Sequence, residues 1–437
     1  MLGNSTMRTD TMKTRKFLAA TTAAMIGAAG LAACGGGDEG SDGDVAMTFW
    51  HNSTTGPGKE YWESTVADFE AANPGVTIDI QSIQNEQMDG KLQTALNSGD
   101  APDIFMARGG GKLADVVAAG QVKDLTGEIA DDVRADVPET AFSAFTIDDK
   151  VYGMPMAILP GGMYYTESLF DQAGVAEIPT TVDELVDVTD TLDAAGIQPI
   201  ALGGKDAWPA AHWYYFFALR ECPQDVFESA DDLDFSHECW TKAGEDLEAF
   251  AETEPFNDGF LTTSAQGSAG SSAGLLANYQ AGMELMGAWN IGVTADLTPD
   301  KEPLPDLRWF PFPEVEGGEG DPAALMGGVD GFSCSEQAPD ECVDFLNFAM
   351  SQENQEGYAT AFHTVPANTA AQGVVEDPAL VSVLEAYNEA PYVALWLDSA
   401  LGQNVGNALN AAIVEMLAGD GDAASIVTAL DDAAAKG

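Results

Sequence analysis

Five cysteines and eight tryptophans are the residues of this chain whose chemistry can be placed first. Cys34 closes the run Leu31-Ala32-Ala33-Cys34, which follows Arg8, Lys13, Arg15 and Lys16 and an apolar stretch from Phe17 to Gly30. Small residues before a cysteine let a lipoprotein peptidase reach the bond, and the thiol is the atom that receives diacylglycerol. The apolar stretch is Ala-rich and falls short of the ~20 residues of a membrane-spanning helix. Residues 1–33 therefore read as a cleaved lipoprotein signal peptide. The next stretch, GGGDEGSDGD, holds nothing able to join a core, so 34–44 reads as a flexible tether holding the folded body roughly 15 to 20 Å from the lipid. The expected location is the outer face of the cell membrane, with the membrane touched through the anchor only.

An exported chain can oxidise its thiols, and Cys222, Cys239, Cys334 and Cys342 make an even set. Three pairings are possible; the local ones, Cys222 with Cys239 and Cys334 with Cys342, each close a polar loop and are favoured. Neither spacing suits zinc, and His51, His212, His237 and His363 are scattered, so no metal site and no cofactor is expected.

The tryptophans carry the other chemistry. Trp50, Trp208, Trp289 and Trp396 each have Asn, Asp or His within two residues. A pyranose offers a C–H-rich face to an aromatic ring and a rim of hydroxyls that donate and accept. A phosphate or amino acid would call for clustered Lys and Arg or for fixed charge pairs. A tryptophan in a chain of this size is also often plain packing, and Trp62, Trp213 and Trp240, on helical stretches, read that way.

The elements that position these residues follow from periodicity. VAMTFW (45–50), VTIDIQSI (76–83) and DIFMA (103–107) read as strands. Between them lie helices marked by Trp62, Val66 and Phe69 and by Met88, Leu92 and Leu96. This βαβαβ unit implies a parallel sheet with helices on its faces. A hairpin around Asp148-Asp149-Lys150 opens a second α/β region. A helix over 181–195 leads to the strand QPIAL, and MELMGAW (283–289) reads as a strand ending in tryptophan. Val405, Leu409, Ile413 and Met416 stripe a C-terminal helix. The patch SAQGSAGSSAG (264–274) reads as a surface loop.

In open α/β sheets the ligand lies beyond the carboxyl ends of the strands. The residues there are Trp50 and Asn52, Asn85 and Glu86, Arg108, and Trp289 with Asn290. Trp208, Gly328, Asp330, Trp396 and Asp398 complete the candidate ligand-binding set. Arg108 equally suits a helix cap or an ion pair between domains, and Asp330 a turn after a strand.

Charge narrows the partners. The chain has 17 basic and 71 acidic residues, a net charge of −54; without the leader, 13 basic face 70 acidic. Nucleic acid and anionic lipid headgroups, which need a positive surface, are excluded as partners. The composition is globular rather than disordered, and about 395 residues after the tether suggest two domains. The acidity also matches a salty or acid-tolerant exterior.

Two motifs point elsewhere and fail in context. Gly109-Gly110-Gly111-Lys112-Leu113-Ala114 fits G-x-G-x-x-A, but it follows the third strand rather than the first, and nicotinamide cofactors are not expected outside a cell. The glycines instead read as freeing helix-start N–H groups to face the cleft. Gly270-Ser271-Ser272-Ala273-Gly274 fits G-x-S-x-G without the preceding strand that a nucleophile elbow needs. No catalytic residue is assigned. With so many acids no carboxylate pair stands out, so a lipid-anchored glycoside hydrolase or esterase, and a surface scaffold or adhesion protein, stay as alternatives.

In combination, several segments resemble the family 1 extracellular solute-binding proteins of ABC importers, the group that includes maltose-binding protein. They are the lipobox, FWHNST, FEAANPGVTI, SGDAPDIF, VYGMP, MYYTESLF, MGAW and VPAN. The resemblance covers essentially 34–437 and implies a two-domain, periplasmic-binding-protein-like α/β fold, monomeric, with a ligand cleft between the domains. It implies an N-terminal domain over 45–157 and 293–345 and a C-terminal domain over 158–292 and 346–437. It further implies a carbohydrate ligand, ABC permease subunits that sense closure, and Trp50, Asn52, Trp289 and Gly328 at the cleft. The stretch AWPAAHWYYFFALREC is similar to members thought to take plant- or chitin-derived oligosaccharides, which points to a short, xylobiose-like ligand. The loop between Cys222 and Cys239 departs from the better-known maltose binders.

Overall fold

The computed structural model describes residues 44–436; the leader, Cys34 and nearly all of the tether lie outside the described residues. The chain opens with β1 (Val45–His51), α1 (Gly56–Ala72), β2 (Val76–Ser82), α2 (Asn85–Ser98), β3 (Ile104–Ala107) and α3 (Gly110–Ala118). β1 pairs parallel with both β2 and β3, the arrangement expected of a βαβαβ unit. A hairpin of β4 (Thr146–Ile147) and β5 (Lys150–Val151) follows. Its two central residues, Asp148 and Asp149, have φ of 51° and 62°, the conformation that a two-residue hairpin turn requires.

β6 (Met154–Thr166) then runs for 13 residues. After it come α4 (Val182–Ala194), started by a capping box between Thr181 and Glu184, and β7 (Gln198–Ala201). α5 (Trp208–Glu221) is buried at every position except Trp208, so it is a core helix rather than an amphipathic one. Next are α6 (Glu238–Glu252), α7 (Ser272–Ala277), β8 (Ala281–Gly287), α8 (Asn290–Ala295), β9 (Leu307–Phe310) and β10 (Leu325–Cys334). The chain ends with α9 (Gln352–Phe362), β11 (Val365–Pro366), α10 (Pro378–Glu389), β12 (Val393–Leu395), α11 (Leu397–Ala400), α12 (Gly402–Leu417) and α13 (Ala423–Ala434).

The sheet order is β2-β1-β3-β10-β6-β8-β7. β6 and β10 are antiparallel and hold the sheet together: the first half of β6 pairs with β10 and the second half with β8 and β9. Two large hydrophobic cores flank this crossing, with a smaller third around Phe105, Leu113 and Phe145. One gathers Phe49, Trp62, Phe332 and Phe345; the other is built around Trp213, Phe216, Phe217 and Phe250. Within the first, Phe49 meets Trp62, Phe332 and Phe345 edge to face at 5.0–5.5 Å, the geometry the ring quadrupoles favour.

Both disulfides join the local partners expected from the sequence, Cys222 with Cys239 and Cys334 with Cys342. Leu346 to Val383 pack in the first core, and Phe310, Phe312, Ala324 and Met326 in the second. Two expectations need correction. The patch 264–274 is only half surface: Gly267–Gly270 are exposed, while Ser271–Gly274 are buried and begin α7, with the Ser271 hydroxyl accepting from the Gly274 N–H at 3.1 Å. Asp330 is no turn residue but lies inside β10, at an irregularity in its pairing with β6.

Candidate functional site

A cavity of ≈ 960 Å³ opens beside the β6–β10 crossing. Its aromatic wall comes from three elements. Trp208 starts α5 and His212 stands one turn later; Trp289 follows β8; Trp396 follows β12. The Trp396 ring stacks on His212 at 4.1 Å and 12°, and meets Trp289 at 5.8 Å and 65°. Trp208 lies 6.1 Å from Trp289. Glycines make this packing possible. A Cβ on Gly161 or Gly328 would strike the Trp396 ring, so β6 and β10 offer it a bare floor. Among the described residues the buried indole Nε1 atoms of Trp208 and Trp396 and Nδ1 of His212 have no hydrogen-bond partner.

Ala207, just before this wall, holds φ of 63° and ψ of −52°, a strained conformation for a residue with a Cβ. The Asp206 carboxylate next to it accepts from the Ala265 N–H at 2.7 Å and pins the turn.

The opposite side is polar. Arg108, just past β3, donates through Nη2 to the Asn85 Oδ1 at 2.7 Å and through Nε to the Asp89 Oδ1 at 3.2 Å, with the Asp330 carboxylate 3.7 Å from Nη1. Asn52 donates to the same Asn85 oxygen at 3.2 Å. Lys112, on α3, bridges Asp89 at 3.3 Å and Asp398 at 3.0 Å. Burial alone would raise the Asp89 carboxyl, but Arg108 and Lys112 outweigh it and hold it at about 2. Burial raises Asp330, with Arg108 only partly offsetting it. His212 is lowered to about 4 by burial, so the ring stays neutral and keeps one donor and one acceptor nitrogen at neutral pH.

Of the candidate residues, Asn52, Asn85, Glu86, Arg108, Trp208, Trp289, Gly328, Asp330, Trp396 and Asp398 line this cavity. Trp50 and Asn290 do not. Strand alternation explains Trp50: Phe49 and His51 point to the α1 side, Trp50 to the other face beneath α2, and the chain reaches the cavity only at Asn52. Asn290 is buried behind the wall, donating through Nδ2 to Glu284 at 2.8 Å. Gly109 to Gly111 also behave differently from expectation. The Gly110 N–H donates to the Ala144 carbonyl at 2.7 Å, and a Cβ on Gly111 would strike the backbone of Ala400 and Gly402. These glycines serve close packing rather than a cleft-facing N–H array.

Sequence reasoning missed Asp89, Lys112 and His212. Helical spacing held the signal for two of them: Asp89 is four residues after Asn85, and His212 four after Trp208. Ser272, centre of the G-x-S-x-G match, donates its hydroxyl to the Ala265 carbonyl at 3.0 Å and is buried at the start of α7, with no strand leading into it.

The model of the bacterial extracellular solute-binding protein family matches residues 52–356. The chain belongs to that family. A bacterial extracellular solute-binding protein captures its solute outside the cell and is not an enzyme. Among relatives, the diacetylchitobiose binding protein DasA of Streptomyces coelicolor is 26% identical over 82% of this chain and 83% of its own. A Brucella abortus protein named as a binding protein is 32% identical, over 40% of this chain and 42% of its own length. The chain thus spans about two-fifths of the Brucella proteins it matches at that identity. A structure solved in work on xylan utilization by the thermophilic bacterium Caldanaerobius polysaccharolyticus superposes with a TM-score of 0.81 at 24% identity, covering 89% of this chain and 99% of that one. The fold is therefore the mixed α/β, periplasmic-binding-protein-like fold expected from the sequence.

Proposed function

We propose that this solute-binding protein is the capture component of an ABC importer for a short oligosaccharide, xylobiose being the first candidate. The observation that carries the reading is that Trp208, Trp289 and Trp396 line one cavity together with Asn85, Arg108, Asp330 and Asp398. Aromatic faces cover the C–H side of a sugar ring while paired acceptors and donors take its hydroxyls. The volume stands at the upper end of the roughly 300–1,000 Å³ usual for ligand sites, which favours more than one ring. The names of the relatives lean the same way: one binds diacetylchitobiose, another comes from xylan utilization.

In this reading the two cores belong to two domains that hinge at β6, β10 and residues 390–394. Ligand shifts an open-to-closed equilibrium through contacts completed only on closure, and the closed monomer is what the permease senses. Cys34 carries the lipid that keeps the body at the outer face of the membrane. Calorimetric titration of the body against mono- and oligosaccharides tests the assignment. Micromolar or tighter binding of a short oligosaccharide is expected, with the sugar recovered intact; silence across the sugar panel alongside binding of a peptide, a metal or a polyamine sinks it.

A further inference from the structure

Trp50 fails to reach the main cavity, yet it lines a second hollow. Beside α2 lies an open groove of ≈ 580 Å³, lined by Trp50, Gln87, Lys91, Thr94, Ala95, Ser98 and Asp100. Glu86 and Gly90 border both this groove and the main cavity. Four residues apart on one helix, they form the ridge that separates the two spaces. Asn85 and Asp89 face the cavity side of that ridge, Gln87, Lys91 and Thr94 the groove side.

The ridge is uneven. At one end Gln266 reaches over to the Glu86 carboxylate at 3.4 Å, partly covering the passage. At the other end stands Gly90, exposed, with no atom within 4 Å of where a Cβ would be. A glycine inside a helix weakens it relative to alanine, and packing is the usual reason to find one there. Packing does not require it here. What its missing side chain leaves is a low point joining cavity to groove.

We infer that the groove is an extension of the ligand site: sugar units beyond those held by Trp208, Trp289 and Trp396 cross the ridge at Gly90 and lie against the Trp50 ring. This rests on the carbohydrate reading above. The occupant is the far end of the same oligosaccharide chain. The groove has what that end needs: a half-exposed indole for a sugar face, with Gln87, Lys91 and Thr94 at the rim for hydroxyls.

The test is calorimetric titration of the whole folded body with xylobiose and xylohexaose, and with the chito-oligosaccharides of the same lengths. Wild type should bind the hexamer at least 10-fold tighter than the dimer of the preferred series. Trp50→Ala should remove that advantage while changing dimer affinity less than 2-fold. Gly90→Leu improves helix propensity, so its Tm should equal or exceed that of wild type, yet its side chain blocks the saddle and should also cost the hexamer about 10-fold. Intact dimer binding by Trp50→Ala and the Tm of Gly90→Leu serve as the checks on folding. Equal affinity for dimer and hexamer in wild type, or a parallel loss for both lengths in Trp50→Ala, overturns the extension and leaves the carbohydrate reading standing. Absence of binding in both series removes the carbohydrate reading and the extension with it.

Discussion

Lys112 Nζ lies 3.0 Å from the Asp398 carboxylate, 286 residues away in sequence, and this pair ties α3 to α11, whose Leu397 packs in the second core. Both side chains are mostly buried, 12% and 16% exposed, so removing one charge strands the other. Lys112→Met is expected to lower stability to urea by about 3 kcal/mol. If the two sides hinge, it should also enlarge the ligand-free radius of gyration in small-angle scattering. A variant as compact and as stable as wild type would show that the pair neither holds the fold nor restrains opening.

Glu284 supplies a pH dependence with a definite sign. Burial lifts its carboxyl to about 7 from an ordinary 4.5, with the bond from Asn290 only partly opposing. Between those two values the unfolded chain has lost this proton while the folded chain keeps it, so the group's contribution falls as pH rises. The full effect is roughly 3 kcal/mol above pH 7. Glu284→Gln should therefore match wild type near pH 4.5 and exceed it by up to about 3 kcal/mol at pH 8. Asp89 acts in the opposite direction: its folded value near 2 gives stability present above the ordinary 3.8 and lost as pH falls toward 2. Paired urea titrations of both proteins at pH 4.5 and pH 8 check the sign, and a constant difference between them refutes it.

How much of this could be read without coordinates differs by element. The first three strands and their helices announced themselves because Phe49, Trp62 and Phe69 fall on periods that only one packing satisfies. The cavity's aromatic wall was half legible: Trp289 and Trp396 follow strands, but His212 lies in a helix so uniformly apolar that no face is marked. Trp50 lies off the main cavity because proximity to a strand's end says nothing about which face the side chain takes. The division into cores was blurred because β6 and β10 each serve both, and a strand shared between cores carries no composition break.

Charge inside the cavity predicts selectivity. Glu86, Asp89, Asp206, Asp296, Asp330 and Asp398 line it, against Arg108, Lys112 and Lys301. Arg108 and Lys112 are already committed to Asp89, Asp330 and Asp398, which among the described residues leaves no free cation on that side for a ligand carboxylate. At ~6 Å and an effective dielectric of about 20, one uncompensated repulsion is on the order of 2–3 kcal/mol. A disaccharide bearing glucuronic acid should bind at least 10-fold more weakly than its neutral counterpart, and the gap should narrow as salt rises. Equal affinities in low-salt calorimetry would contradict the electrostatic argument.

The wall itself sets the largest expected loss. Trp396 is 6% exposed and touches His212, Phe216 and Trp289, so truncating it opens a hole as well as removing a ligand face. Trp396→Ala should thus cost about 3–5 kcal/mol of stability and confuse any binding measurement. Trp289 is half-buried, folded back over Gly287, and its loss is better tolerated. Trp289→Ala should weaken oligosaccharide binding by about 2 kcal/mol, roughly 30-fold, the usual size for a buried aromatic anchor. Asn290→Ala, one residue on but behind the wall, should leave affinity within about 3-fold while shifting the pH dependence that Glu284 imposes. Calorimetry and urea titration on this pair separate the two roles; an affinity loss at Asn290 as large as at Trp289 would mean that the cavity extends behind the wall.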